Sequence, residues 1–135
     1  MNEKNPGVIW NDSYRLGNEQ VDLQHKKMFE LVRGLLNACN KGKDAAKLRE
    51  TLSFLVNYTI RHFLFEEELQ VECKYPEYER HKQLHDDFKK TVGDLVEKFN
   101  KNGSSTELSN DVNKIVVSWL IDHVQQEDKK IGEYL

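Results

Sequence analysis

Residues 61–85 read RHFLFEEELQVECKYPEYERHKQLH, and two pairs inside this stretch decide how the chain folds. His62 and Glu66 stand four residues apart, as do His81 and His85, and residues four apart share one face of an α-helix. Between the pairs lies Pro76, whose ring disfavours helix in the residue before it and which suits the first turn of a new helix. The stretch predicts one helix that ends ahead of Pro76 and a second that starts near it. So short a break cannot carry the chain across a bundle, so the two helices are expected to run antiparallel, with both pairs near the same end.

The pattern continues on both sides. Upstream, Leu48, Leu52, Leu55, Val56, Thr59, Phe63 and Leu69 carry an apolar stripe back to about Asp44. Downstream, Leu84, Phe88, Val92, Leu95, Val96 and Phe99 extend the next helix to the breaker Asn102-Gly103-Ser104-Ser105. Ser104 and Glu107 form a capping box ahead of a last helix marked by Leu108, Val112, Ile115, Val116, Trp119, Leu120, Ile121 and Val124. A first helix runs from Glu19 to Asn40 on Val21, Met28, Leu31, Val32, Leu35 and Leu36, and stops at Asn40-Lys41-Gly42. Before it, Pro6, Gly7 and Gly17 around Trp10 and Tyr14 indicate an irregular arm that packs onto the rest. The expected fold is all-α: an antiparallel up-down-up-down four-helix bundle at 19–135 with an N-terminal arm at 1–18, together one domain.

Bulk composition narrows the function classes. With 135 residues, 32% charged and 38% hydrophobic, two prolines and a net charge of −3, the chain reads as a helical globular protein. Lysines are interspersed with acids, so no clustered positive surface for nucleic acid is expected. No apolar run approaches a bilayer span, and Met1-Asn2-Glu3-Lys4 lacks the apolar stretch of a secretion signal. A cytoplasmic location and a monomer are the expectations. Cys39 and Cys73 fall at opposite ends of the predicted bundle, roughly 25 to 30 Å apart, and are expected to be free thiols.

All five histidines, His25, His62, His81, His85 and His123, lie on predicted helices. At about 1.5 Å of rise per residue they fall, with Glu66 and Asp128, roughly 5 to 16 Å below one end of the bundle. A lone histidine is more often a surface or hydrogen-bonded core residue. Five at one depth, mixed with carboxylates, suit borderline first-row metals held between facing helices. Asp128 breaks the spacing rule. It follows His123 by five residues, a rotation of about 140°, so either its carboxylate reaches back or the helix is locally distorted there. Glu67 and Glu68, adjacent to Glu66, are expected on solvated faces.

The order histidine, H-x-x-x-E, H-x-x-x-H, H-x-x-x-x-D closely resembles the hemerythrins, in particular the single-domain bacterial form. The resemblance runs almost the whole length. It includes Trp10, the Val-Asp-Leu-Gln-His-Lys around His25, His-Phe ahead of Glu66 and Glu67, Tyr75-Pro76 before His81, and Trp119-Leu120 before His123. Gln70 departs from it, standing where a methionine is common, as does Cys73 where an aromatic is frequent.

The resemblance implies a non-haem centre of two iron ions bridged by Glu66, Asp128 and a solvent-derived oxo or hydroxo group. It implies His81, His85 and His123 on one iron and His25 and His62 on the other, which is left one ligand short and open to dioxygen. Phe63, Trp119 and Leu120 match the family pattern beside the ligands and are expected to line the oxygen pocket. Reversible dioxygen binding, for storage, delivery or buffering, is the implied function, and no enzymatic reaction is expected. Two alternatives on the same site are an oxidoreductase acting on peroxide or nitric oxide, and an oxygen or redox sensor. The five imidazoles weigh against an oxygen-activating enzyme, because anionic oxygen ligands better stabilise high-valent iron.

Overall fold

In the computed structural model, which describes residues 10–40, 45–103 and 106–135, those residues are predominantly helical and no strand occurs among them. Helix α1 spans Glu19–Asn40, α2 Ala45–Glu72 and α3 Tyr78–Asn102. A fourth helix fills residues 106–131, and within it the α-helical pieces Thr106–Asp111, Ser118–Asp122 and Lys129–Ile131 alternate with the π-helical pieces Val112–Val117 and His123–Asp128. Helix α1 packs on α2, α2 on α3, and the fourth helix on both α1 and α3, so the expected up-down-up-down bundle is the one that forms. The expected start of the second helix at Asp44, the stop at Lys41-Gly42 and the capping box at Ser104 fall outside the described residues.

Amphipathic spacing accounts for this arrangement. The positions that repeat every three or four residues along the helices close into one core, with Val32, Leu35, Leu48, Leu52, Phe99, Leu108 and Val112 filling the half distant from the histidines. Each such side chain contributes about 1.5–3 kcal/mol by leaving water.

The turn between α2 and α3 sets the level of both pairs, His62 with Glu66 and His81 with His85. Lys74 adopts φ 57°, and Tyr75 N donates to Gln70 O at 2.9 Å, which reverses the chain within a few residues. Pro76 lies in that turn and not in the helix. Tyr78 N closes it on Tyr75 O at 3.2 Å, so α3 begins two residues beyond the proline. At the other end of α3, Gly103 takes φ 71° and donates its N–H to Phe99 O at 2.7 Å, ending the helix where the breaker predicted. Cys73 is a free thiol; the side chain of Cys39 falls outside the described ones.

The described part of the arm is tied down rather than loose. After one 3-10 turn at Asp12–Tyr14, the Tyr14 ring meets Phe29 edge-on at 5.1 Å between centroids. Asn18 caps α1 by accepting from Val21 N at 3.0 Å. The buried carboxylate of Asp22 accepts from Leu16 N at 2.9 Å and from Gly17 N at 3.3 Å. Where the arm crosses the end of the fourth helix, Gly132 leaves room for it: a Cβ there would stand 2.2 Å from Leu16 O.

That close approach yields a paired expectation. Gly132→Ala forces backbone apart and should lower unfolding stability in urea by about 1–3 kcal/mol. Gly34→Ala, in the interior of α1 with nothing within 4 Å of the new methyl, should raise it by up to about 1 kcal/mol. Equal effects from the two substitutions would show that the arm does not bear on Gly132.

Candidate metal centre

Each helix delivers its share of seven polar side chains to one dry layer. Helix α1 supplies His25, α2 supplies His62 and Glu66, α3 supplies His81 and His85, and the fourth helix supplies His123 and Asp128. All seven are buried, and His25, Glu66, His81 and His85 have no exposed surface. The donor atoms form two groups that share both carboxylates. One comprises Glu66, His81, His85, His123 and Asp128; the other comprises His25, His62, Glu66 and Asp128.

The distances describe a convergence. Glu66 Oε1 lies 3.1 Å from Nε2 of both His81 and His85, while Oε2 lies 3.4 Å from His25 Nε2 and 3.3 Å from His62 Nε2. Asp128 Oδ1 is 2.9 Å from Nε2 of His81 and His123, and Oδ2 is 2.9 Å from His25 Nε2. Each carboxylate thus turns one oxygen to each group. His85 Nε2 and His123 Nε2 approach to 3.1 Å.

Asp128 reaches this layer because the helix is distorted. Across His123–Asp128 the backbone is π-helical, and Lys129 N donates to Val124 O, five residues back. A turn closed by i→i+5 bonds is wider than an α turn and brings residues five apart over one another, which removes the rotation that would have aimed Asp128 away. Of the two expected ways to bring Asp128 in, distortion is the one observed.

These residues fit a metal. Despite contacts near 3 Å, His25 Nε2, Glu66 Oε2 and Asp128 Oδ1 make no directed hydrogen bond; they are buried polar atoms aimed at the space between them. Imidazole nitrogen with carboxylate oxygen is the donor set of borderline first-row divalent ions. Without an ion, protons must do the neutralising. Burial opposes charge on His25, but Asp128 and Glu66 outweigh it and push its pKa up to about 9. The same balance pushes His81 up to about 10. Burial keeps His62 below its ordinary value. Glu66, for which burial alone would favour the protonated acid, is held well below the usual carboxylate range by the four imidazoles around it. Burial and the nearby Glu66 charge likewise oppose ionisation of Asp128, yet His123 and His25 hold it well below that range.

A second ring of partners lay beyond sequence reasoning. Glu67, expected on a solvated face, is only 7% exposed, and its Oε2 accepts from His85 Nδ1 at 2.8 Å. Gln24, within the stretch around His25 but without a spacing that marks it, presents Oε1 to His62 Nδ1 at 2.6 Å. Glu68 is exposed, as expected. Two aromatic rings brace the three-histidine group: Phe63 stacks on His85 at 3.8 Å, and Trp119 on His123 at 4.2 Å between centroids. Phe63 also meets the His62 ring at 6.1 Å, so it borders both groups, whereas Trp119 borders the three-histidine group. Leu120 lines a separate apolar cavity of about 30 Å³ with Met28, Thr59, Phe88 and Val116.

Comparison with known proteins points the same way. Residues 16–135 match the hemerythrin HHE cation binding domain. The chain is 29% identical over 121 residues to a bacteriohemerythrin of Pseudomonas paraeruginosa, covering 90% of this chain and 76% of that protein. It is 30% identical over 115 residues to a bacteriohemerythrin of Methylococcus capsulatus, with coverage of 85% and 86%. A hemerythrin-like protein of Naegleria gruberi is 29% identical over 127 residues, with coverage of 90% and 87%. The family model spans the arm's last residues and all four helices, and with the histidine and carboxylate layer they carry, this chain belongs to the hemerythrin family.

Proposed function

We propose that the chain holds two iron ions, bridged by Glu66 and Asp128, and binds dioxygen reversibly. The observation that carries this reading is the inequality of the two donor groups. Both share the two carboxylates, but one adds three histidines and the other only His25 and His62. An ion in the smaller group has one protein ligand fewer and so keeps a position for an outside molecule. When bound, the iron pair supplies the electrons that a dioxygen molecule takes up on binding and returns on release.

The protein's own side chains account for the rest. Glu66 and Asp128 enter ionised and offset positive charge without an added acid, while His25 and His81 give up protons from Nε2 when metal enters. Glu67 accepts from His85 Nδ1 and Gln24 from His62 Nδ1, each fixing the ring so that Nε2 faces the centre. Phe63, Leu120, Met28 and Val124 are all 2% exposed or less and exclude water around the layer. In this reading Phe63 bounds the oxygen pocket and Leu120 lines the separate apolar cavity. Trp119 contributes by clamping His123.

The test is a visible spectrum of the anaerobically reduced protein, taken before air, after air and under vacuum. A band that appears with air and disappears under vacuum is expected; irreversible oxidation on first exposure would overturn the carrier reading. His62→Ala should abolish the reversible band and lower bound iron from two towards one per chain, as read by metal analysis.

The outer partner gives a graded effect. Glu67→Leu leaves His85 Nδ1 without its acceptor and should weaken metal affinity by about 10- to 100-fold in competition with a chelator, since ligand orientation is lost with the ligand retained.

Removing the metal should expose a pH dependence. Folded-state values raised to about 9 for His25 and about 10 for His81 lie above the ordinary 6.5, so their stabilisation is complete below about pH 6.5. It is lost as pH rises through those values. Melting temperature of the metal-free protein should therefore fall between pH 7 and 10, while the iron-loaded protein, whose imidazoles carry no such protons, should melt higher and change less. Parallel pH profiles for the two forms would rule out proton-for-metal exchange.

A further inference from the structure

Gln70 is fully buried, and neither its Oε1 nor its Nε2 meets a partner among the described residues. An amide offers two N–H donors and a carbonyl acceptor, and a buried group of this kind is rarely left without partners. Its position is informative. Gln70 follows Glu66 by one turn on the inward face of α2, two residues before that helix ends, or about 3 Å from its end. His81 lies three residues into α3, about 4.5 Å from its start. The helices pack together, so Gln70 and His81 share a level on the arm side of the metal layer.

Tyr75 links the two. Its N–H donates to Gln70 O at 2.9 Å, and its ring meets the His81 ring edge-on at 6.1 Å between centroids. On His81, Nε2 faces Glu66 at 3.1 Å, whereas Nδ1 is buried with no protein partner. His25 Nδ1 is likewise buried without a partner, whereas the Nδ1 atoms of His62 and His85 meet Gln24 and Glu67. A metal-ligating histidine almost always donates its second N–H to a carboxylate, a carbonyl or water. A buried water in turn needs two to four polar partners, and Gln70 Oε1, Gln70 Nε2 and His81 Nδ1 supply three.

We propose that Gln70 and His81 Nδ1 share a buried water site on the arm side of the centre, which makes Gln70 a positioning residue for the His81 ring. His81 Nδ1–H donates to the water, the water donates to Gln70 Oε1, and the Gln70 Nε2–H donates back to the water oxygen. The inference rests on His81 being a metal ligand.

Zinc-loaded, nitrogen-15-labelled protein tests both layers of this by ring N–H resonances. In the unsubstituted protein, the His81 Nδ1–H signal should show cross-relaxation with water, and its absence overturns the proposal without any variant. Gln70→Met, which removes both polar atoms at similar volume, should shift the His81 signal and leave those of His62 and His85 in place, with zinc affinity falling about tenfold. Gln70→Glu, which keeps an acceptor, should return the His81 signal towards its original position. A shift at His25 instead, or lost affinity with no change at His81, would assign Gln70 a packing role and overturn the proposal. If zinc leaves the His81 ring resonances unmoved in the unsubstituted protein, the ligand assignment itself fails, a result distinct from failure at Gln70.

Discussion

Glu66 and Asp128 place two negative charges in a layer of the bundle that water does not reach, and each would be strongly disfavoured there alone. Five imidazoles drawn from all four helices stand around them, and no helix supplies enough partners by itself. The charges therefore act as a constraint on assembly. The layer is satisfied only when α1, α2, α3 and the fourth helix meet in one register. Specificity for that register resides in the seven-residue arrangement rather than in one strong contact.

Around this layer the surroundings are unequal. On the side of His81, His85 and His123 stand an anionic acceptor, Glu67, and two stacked aromatic rings; on the side of His25 and His62 stands the neutral amide of Gln24. An anionic acceptor increases the donor strength of an imidazole more than an amide does, so the three-histidine group carries the stronger donors. The difference in ligand number and the difference in outer partners act in the same direction.

Much of this was legible in the amino-acid order, for reasons particular to each residue. The pairs at His62 with Glu66 and His81 with His85 were readable because four-residue spacing is the natural period of a helix face and Pro76 fixes where the chain turns. Asp128 was readable only as a choice between two geometries, since spacing reports a misfit and not its remedy. Glu67 was misjudged because neighbouring positions on a helix diverge by about 100°, which normally sends the second acid to solvent. Here α3 packs close enough for His85 to meet it. Gln24 and Gln70 carry no periodic mark at all: their roles depend on which imidazole edge stands opposite, and that is a property of packing between helices.

The widened turn at His123–Asp128 makes helical phase itself part of the centre. Residues 125 and 126 face outward, and their identity bears little on the layer. Their number bears on it directly, because the π turn absorbs a five-residue spacing, and adding one more residue would rotate everything beyond it by about a quarter of a turn. The segment is therefore permissive to substitution and intolerant of insertion, so drift in this helix is free in composition and capped in length.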